Sequence, residues 1–218
     1  MTKKILKMAA LELKKGRFVI ICDSPNRENE ADLVIHASFC TKEVIKKMRK
    51  EAGGLICLVT DRKNATELGL DYLHKKLNLM GGVYKKLSAN KTPYNDEPAF
   101  ALYINSKKCY TGITDEDRAT TAREFEKIIR LEKKMKKVEF VKNFYSPGHI
   151  PLLIAKDLKK RRGHSEYSIE LAKLANLSPA MLICEMLSDD GKAKSLEEVK
   201  KYATRNKIIV LKENDFEG

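Results

Sequence analysis

Short apolar runs alternate with segments of helical periodicity along this chain. The runs at 17–22, 33–38, 55–59, 99–105, 138–141, 150–155, 181–187 and 208–211 are rich in Val, Ile and Leu and have the length of buried strands. Leu6, Ala9, Ala10 and Leu13 recur at helical spacing before Gly16, which predicts an N-terminal helix. Thr41 can cap a helix through Lys50 with Val44, Ile45 and Met48 on one face. A second cap at Thr114, with Asp117 in place of the usual Glu, opens a helix toward Ile129. Ile169, Leu171, Ala172 and Ala175 predict a helix over 166–175, and the pair Ser195/Glu198 a capping box before a helix over 195–203. Residues 61–97 are weakly patterned, hold Gly81, Gly82 and Pro93, and receive no element. Helices do not follow every strand, so the order predicts an α+β fold, a mixed β-sheet flanked by helices, rather than a doubly wound one.

Composition narrows this picture. With 218 residues, six prolines and no Ser/Gly-rich tract, the pattern predicts one domain over 1–218. No apolar run approaches the roughly 18–20 residues of a membrane span, and no apolar signal region follows the basic start, so a cytoplasmic protein without a membrane partner is expected. Five cysteines without a C-x-x-C pair predict reduced core thiols. The net charge of +13 raises the question of nucleic acid, but the lysines come as scattered pairs with no finger, basic tail or stacking aromatics around them. Solvated helix faces account for most of that charge, no nucleic-acid partner is expected, and a phosphorylated small substrate would gain from the same field.

Candidate chemistry concentrates in a few places. Arg27-Glu28-Asn29-Glu30-Ala31-Asp32 puts one cation and three carboxylates on a loop between two strands. Arg161-Arg162-Gly163-His164-Ser165-Glu166 precedes a predicted helix, where free N–H groups favour an anion and Ser165 can serve as cap and donor. Taken alone, this segment reads as an ordinary basic helix start. His149 sits on a tightly fixed turn, Ser146-Pro147-Gly148-His149-Ile150-Pro151, and is an acid/base candidate, whereas His36 and His74 read as ordinary histidines. Glu185 lies in the apolar run Met181-Leu182-Ile183-Cys184-Glu185-Met186-Leu187. Burial there would raise its pKa, and a sheet-end carboxylate facing solvent is the equally weighted alternative. Thr111-Gly112-Ile113-Thr114 offers a second small-residue anion cradle, and Cys57 reads as a core thiol. There is no dinucleotide fingerprint, P-loop or nucleophile elbow.

Assembled in order, these segments resemble 3,4-dihydroxy-2-butanone 4-phosphate synthase, the lyase of riboflavin biosynthesis. They are the acidic loop, Gly54-Leu55-Ile56-Cys57, Thr111-Gly112-Ile113-Thr114 with Asp117-Arg118-Ala119, Pro147-Gly148-His149, Arg161 with Gly163-His164-Ser165-Glu166, and Ile183-Cys184-Glu185. The resemblance implies that family's fold and the conversion of D-ribulose 5-phosphate to L-3,4-dihydroxy-2-butanone 4-phosphate and formate with magnesium or manganese. It implies Glu28 and His164 as metal ligands, and His149 and Glu185 as catalytic residues. Arg27, Glu28, Asp32, Cys57, Thr111, Arg161, Gly163, His164, Ser165 and Glu185 would contact substrate. It also implies a homodimer with sites near the subunit interface. The chain is too short for the GTP cyclohydrolase domain of the family's fused form and lacks its cysteine cluster, so no such domain is expected. Departures from the family pattern are Ala31 for Gly, Ser165 for Thr, Tyr110 for Thr, and fewer acids before Arg27.

Overall fold

Seven strands join into one mixed sheet in the computed structural model, which describes residues 2–217. In chain order the elements are α1 (Thr2–Lys14), β1 (Val19–Cys22), β2 (Ala31–His36), α2 (Lys42–Lys47), β3 (Cys57–Asp61), α3 (Arg62–Leu68), α4 (Leu73–Met80) and α5 (Gly82–Leu87). They continue with β4 (Phe100–Ser106), α6 (Asp115–Ile129), α7 (Lys133–Asn143), β5 (Phe144–Ala155), α8 (His164–Leu174), β6 (Ala180–Glu185), α9 (Leu196–Asn206) and β7 (Ile209–Lys212). Across the sheet the order is β4-β5-β3-β6-β2-β1-β7. The pairs β1/β7 and β3/β5 are parallel and the others antiparallel, which is the mixed α+β sheet expected from the sequence.

Strand alternation sorts the core into two layers. Ile20, Leu33, Ile35, Leu58 and Leu182 pack with Ile45, Phe125, Phe140 and Val199, so α2, α6, α7 and α9 cover one face. Val19, Ile21, Val34, Cys57, Val59 and Ile183 pack with Leu13, Tyr167 and Leu171, so α1 and α8 cover the other. Cover on both faces explains why these strands read as unbroken apolar runs. Asp32 pairs with Glu185 and Val34 with Ile183, so both carboxylates share the face that α8 covers.

Three expectations are corrected. Residues 138–141 are not a strand but lie within α7, where the buried positions Lys136 and Phe140 are four apart and Val138 and Val141 face solvent. Phe140 stacks on Phe144 and meets Phe125 edge-on, so tertiary packing, not β-propensity, decides this segment. The cap of α8 is Gly163 rather than Ser165, which lies inside the first turn. The helix from Thr41 ends in regular form at Lys47 and continues as a π-helical turn, Met48–Ala52, closed by Gly53 at φ +94°. The unassigned stretch 61–97 holds α3, α4 and α5. Leu79, Met80, Val83, Tyr84 and Leu87 on the latter two are exposed, so no buried stripe betrays them in the sequence. Among the described residues no helix is long and apolar enough to cross a membrane.

Candidate active site

The β1–β2 connection is held by Asp23, whose carboxylate accepts the backbone N–H of Glu28 at 3.1 Å and of Glu30 at 3.0 Å. This turn aims Glu28 at the start of α8. Glu28 Oε2 lies 3.1 Å from His164 Nδ1, and the opposite ring nitrogen lies 3.3 Å from the Glu30 carbonyl and 3.9 Å from Asp32 Oδ1. Ligand atoms of Asp23, Glu28 and His164 all fall within 4.8 Å of one another, a spacing at which one cation could reach all three. Asp32 Oδ1 is buried with no hydrogen-bond partner, an orphan that a nearby cation or donor would satisfy. Two carboxylates and an imidazole suit a hard to borderline divalent ion, so the donor set fits magnesium or manganese.

Beside this cluster stands a second layer of charge. Arg161 Nη1 donates to Glu166 Oε2 at 2.6 Å, and the same carboxylate oxygen accepts the Gly163 N–H at 3.2 Å. Glu166 therefore caps α8 from its own first turn and clamps Arg161 in place. A Cβ on Gly163 would come within 2.8 Å of Arg27 Nη2, so glycine lets the two guanidinium groups converge there. The 88–98 segment closes over them: the Asp96 carboxylate binds Arg27 and lies 3.4 Å from Arg161, and the Tyr94 hydroxyl donates to Glu28. Tyr94 and Asp96 were not legible in the sequence, because their segment carries no apolar periodicity to fix where it runs.

The electrostatics follow from this crowding. Burial pushes the Glu28 carboxyl up, but His164, the Tyr94 hydroxyl and Arg161 outweigh it and bring the pKa down to about 2. Burial disfavours a charged His164, yet Asp32, Glu28 and Asp23 overcome it and raise the ring well above its ordinary value. Asp32 goes up through burial, reinforced by Glu185 and the neighbouring carboxylates. Burial together with Glu185 and Asp32 holds the Cys57 thiol well above its ordinary range, which keeps it protonated and makes it a packing group rather than a nucleophile. Glu185 Oε2 accepts the Leu55 N–H at 2.7 Å, tying β6 to the segment before β3.

Not every expected residue joins this cluster. Arg27, Glu28, Asp32, Arg161, Gly163 and His164 converge, and Glu185 adjoins through Asp32. Ser165 is buried in the first turn of α8, where its carbonyl accepts the Ser168 hydroxyl. Thr111 and His149 lie in a separate group on β4, β5 and the loop between β4 and α6. There the Asn105 side chain reaches the Thr111 carbonyl, the Tyr145 hydroxyl and both the ring and the backbone N–H of His149. Both Thr111 and His149 are exposed, and so are Leu55, Tyr110, Ile113 and Tyr145, with Tyr110 at 96%. The Thr114 cap is as expected, its hydroxyl accepting the Asp117 N–H at 3.1 Å. The Asp117 carboxylate, however, turns to the Gly112 N–H and the Thr111 hydroxyl instead of completing a capping box.

A mixed sheet that brings a candidate cation site, two converging arginines and several carboxylates to one place has the arrangement of an enzyme acting on an anionic substrate. The 3,4-dihydroxy-2-butanone 4-phosphate synthase family model matches residues 7–216. The chain is 37% identical over 213 residues to the 3,4-dihydroxy-2-butanone 4-phosphate synthase of Methanothermobacter thermautotrophicus, covering 95% of this chain and 92% of that protein. It is 38% identical over 213 residues to the corresponding protein of Methanosarcina mazei, covering 93% and 85%. A solved 3,4-dihydroxy-2-butanone 4-phosphate synthase in complex with two magnesium ions matches with a TM-score of 0.73 at 27% identity, over 95% of this chain and 92% of that one. The chain belongs to the 3,4-dihydroxy-2-butanone 4-phosphate synthase family, and it is an enzyme of the activity that names the family.

Proposed function

We propose that this chain converts D-ribulose 5-phosphate to L-3,4-dihydroxy-2-butanone 4-phosphate and formate, a step of riboflavin biosynthesis. In this reading it acts as a cytoplasmic homodimer that uses magnesium or manganese. The observation that carries the reading is the Glu28–His164 pair, with Asp23 beside it, set against the converging Arg27 and Arg161. Metal ligation falls to Glu28 and His164, and Asp23 adds a third donor that the resemblance left out. A bound divalent ion supplies Lewis-acid polarisation of the sugar's carbonyl and neighbouring oxygens.

The chain's own groups do the rest. Arg161, Gly163, His164 and Ser165 surround the phosphate, Thr111 completes that shell across the proposed subunit interface, and the fork of a guanidinium suits that anion. Arg27 and Asp32 hold the sugar, and Asp96 yields its place between the arginines as the anionic substrate enters. Glu185 and His149 are the catalytic residues at the carbonyl end of the substrate, Glu185 as proton acceptor and His149 at a substrate oxygen. Tyr94 and the 88–98 segment keep water from the reacting carbons.

The exposed position of His149 and Thr111 fits a homodimer whose sites lie near the subunit interface. Leu55, Tyr110, Ile113 and Tyr145 give that face the apolar and aromatic character of an interface. Five free cysteines fit a reducing compartment. The test is direct: incubation with ribulose 5-phosphate and magnesium releases formate stoichiometrically with the four-carbon phosphate. A folded protein that releases none would end this reading.

A further inference from the structure

We infer that Asn105 is a positioning residue that fixes the His149 ring in the tautomer protonated at Nε2. His149 then meets the substrate as a hydrogen-bond donor, not as the base that first removes a proton. This deepens the reading above and rests on it for the reaction, though not for the tautomer.

The argument starts from one unambiguous contact. Asn105, near the end of β4 and 1% exposed, accepts the backbone N–H of His149 on Oδ1 at 2.8 Å. A backbone N–H only donates, so this contact decides which way the amide points. The other amide atom is therefore the NH2 group, and it lies 3.0 Å from His149 Nδ1. An amide nitrogen has hydrogens and no free lone pair, so Nδ1 must be the acceptor. A neutral imidazole that accepts at Nδ1 carries its proton at Nε2.

The surroundings hold the amide in this pose. Its Nδ2 also meets the Tyr145 hydroxyl at 3.0 Å and the Thr111 carbonyl at 3.4 Å. A Cβ on Gly112 would lie 2.0 Å from that nitrogen, and one on Gly148 would lie 2.1 Å from the Ile104 carbonyl carbon. Gly112 thus lets its loop close on the Asn105 side chain, and Gly148 lets the His149 turn close on the β4 backbone beside it. Asn105 ties together the Thr111 loop and the His149 turn, which the sequence offered as separate candidates.

The chemical consequence is a division of labour. A neutral ring held this way presents an N–H to a substrate oxygen and polarises it while keeping its proton. Its lone pair at Nδ1 is occupied, so the carbon-bound proton goes to another group, for which Glu185 is the remaining catalytic candidate.

Nitrogen-15 NMR of the uniformly labelled protein, with ring signals assigned by their loss in His149→Gln, reads the tautomer without turnover. The expected result is a proton on Nε2 in the wild type. In Asn105→Asp, a near-isosteric change that still accepts the backbone N–H but cannot donate to the ring, the proton moves to Nδ1. The kcat of that variant falls about 10²-fold while KM stays within about twofold, a split that a loosened fold would not give. A proton on Nδ1 in the wild type overturns the inference, and so does an unchanged tautomer in Asn105→Asp. Failure of formate release would sink the reaction instead, and would leave the ring spectra as they are.

Discussion

The cluster around His164 and the cluster around His149 are built on opposite principles. The first is buried and crowded with charge, and its cations and anions answer one another within the chain: Arg161 with Glu166, Arg27 with Asp96, and His164 with Glu28. The second is neutral at its centre, where one amide makes four contacts, two of them to the exposed His149 through its ring and its backbone N–H. Buried ionic groups tolerate removal of a partner badly, because the survivor is left uncompensated. A neutral hydrogen-bonded group on the surface can lose its outer member at little structural cost. The first cluster can therefore hold a cation within one chain, whereas the second presents a reactive group outward and needs something to meet.

The largest expected effect breaks the two apart. Glu28→Gln should lower kcat/KM by about 10³ or more, the several kcal/mol that a metal's charge stabilisation supplies, and should abolish manganese binding measured by electron paramagnetic resonance. His149→Ala should bind manganese like the wild type and lose roughly 10²-fold in kcat. Should Glu28→Gln bind manganese normally, the first cluster is not the metal site. Mixing the two variants sharpens the point. In a random mixture of subunits, a site shared across the interface is restored once in half of the dimers, giving about a quarter of wild-type activity. No recovery above the parents would place both clusters of a working site in one protomer.

The two clusters also differ in how far they could be read without coordinates. Arg27, Glu28 and Asp32 stood out because charge packed between apolar runs has no place in a core, whereas Arg161 and His164 read alone as an ordinary basic helix start and gained weight only from the resemblance. Their convergence follows from the β1–β2 hairpin and the start of α8, both of which the periodicity marks. Asp23, Asp96, Tyr94 and Asn105 did not stand out. Asp23 and Asn105 close ordinary strands, and Tyr94 and Asp96 sit on a loop whose path depends on α3, α4 and α5. Those helices were hidden because the last two bury little, just as α7 was misread because two of its valines point to solvent. Periodicity reports burial, so elements and contacts that do not bury an apolar face leave no trace in it.

Protons should distinguish the clusters as well. The His164 ring, raised by the carboxylates around it against the effect of burial, holds a proton at neutral pH. A divalent ion needs that nitrogen free, so affinity for manganese should rise with pH by up to about tenfold per unit and release a proton on binding. In the metal-free protein the sign for stability is opposite. The raised ring contributes fully below its ordinary 6.5, and that contribution is lost as pH rises through a folded value of about 10. Manganese titrations between about pH 6.5 and 8.5 check the first statement, and urea unfolding of the metal-free protein over the same range checks the second. An affinity that is flat with pH would mean that the ion does not compete for His164.

The smallest effect tests whether the second cluster depends on its supporting helix. Thr114 caps α6, and its partner Asp117 holds Gly112 and Thr111 in turn, so the cap and the loop beside Asn105 form one chain of hydrogen bonds. Thr114→Ala should cost about 1 kcal/mol in urea unfolding, the usual worth of such a cap. Thr41, whose hydroxyl accepts the Val44 N–H at 3.4 Å at the start of α2, is the control, because the same substitution there costs no more and touches neither cluster. If the loop must be held for His149 to be aimed, Thr114→Ala also lowers kcat a few-fold and Thr41→Ala does not. Equal kcat values for the two variants would mean that Asn105 alone keeps the loop in register, with the cap of α6 contributing only stability.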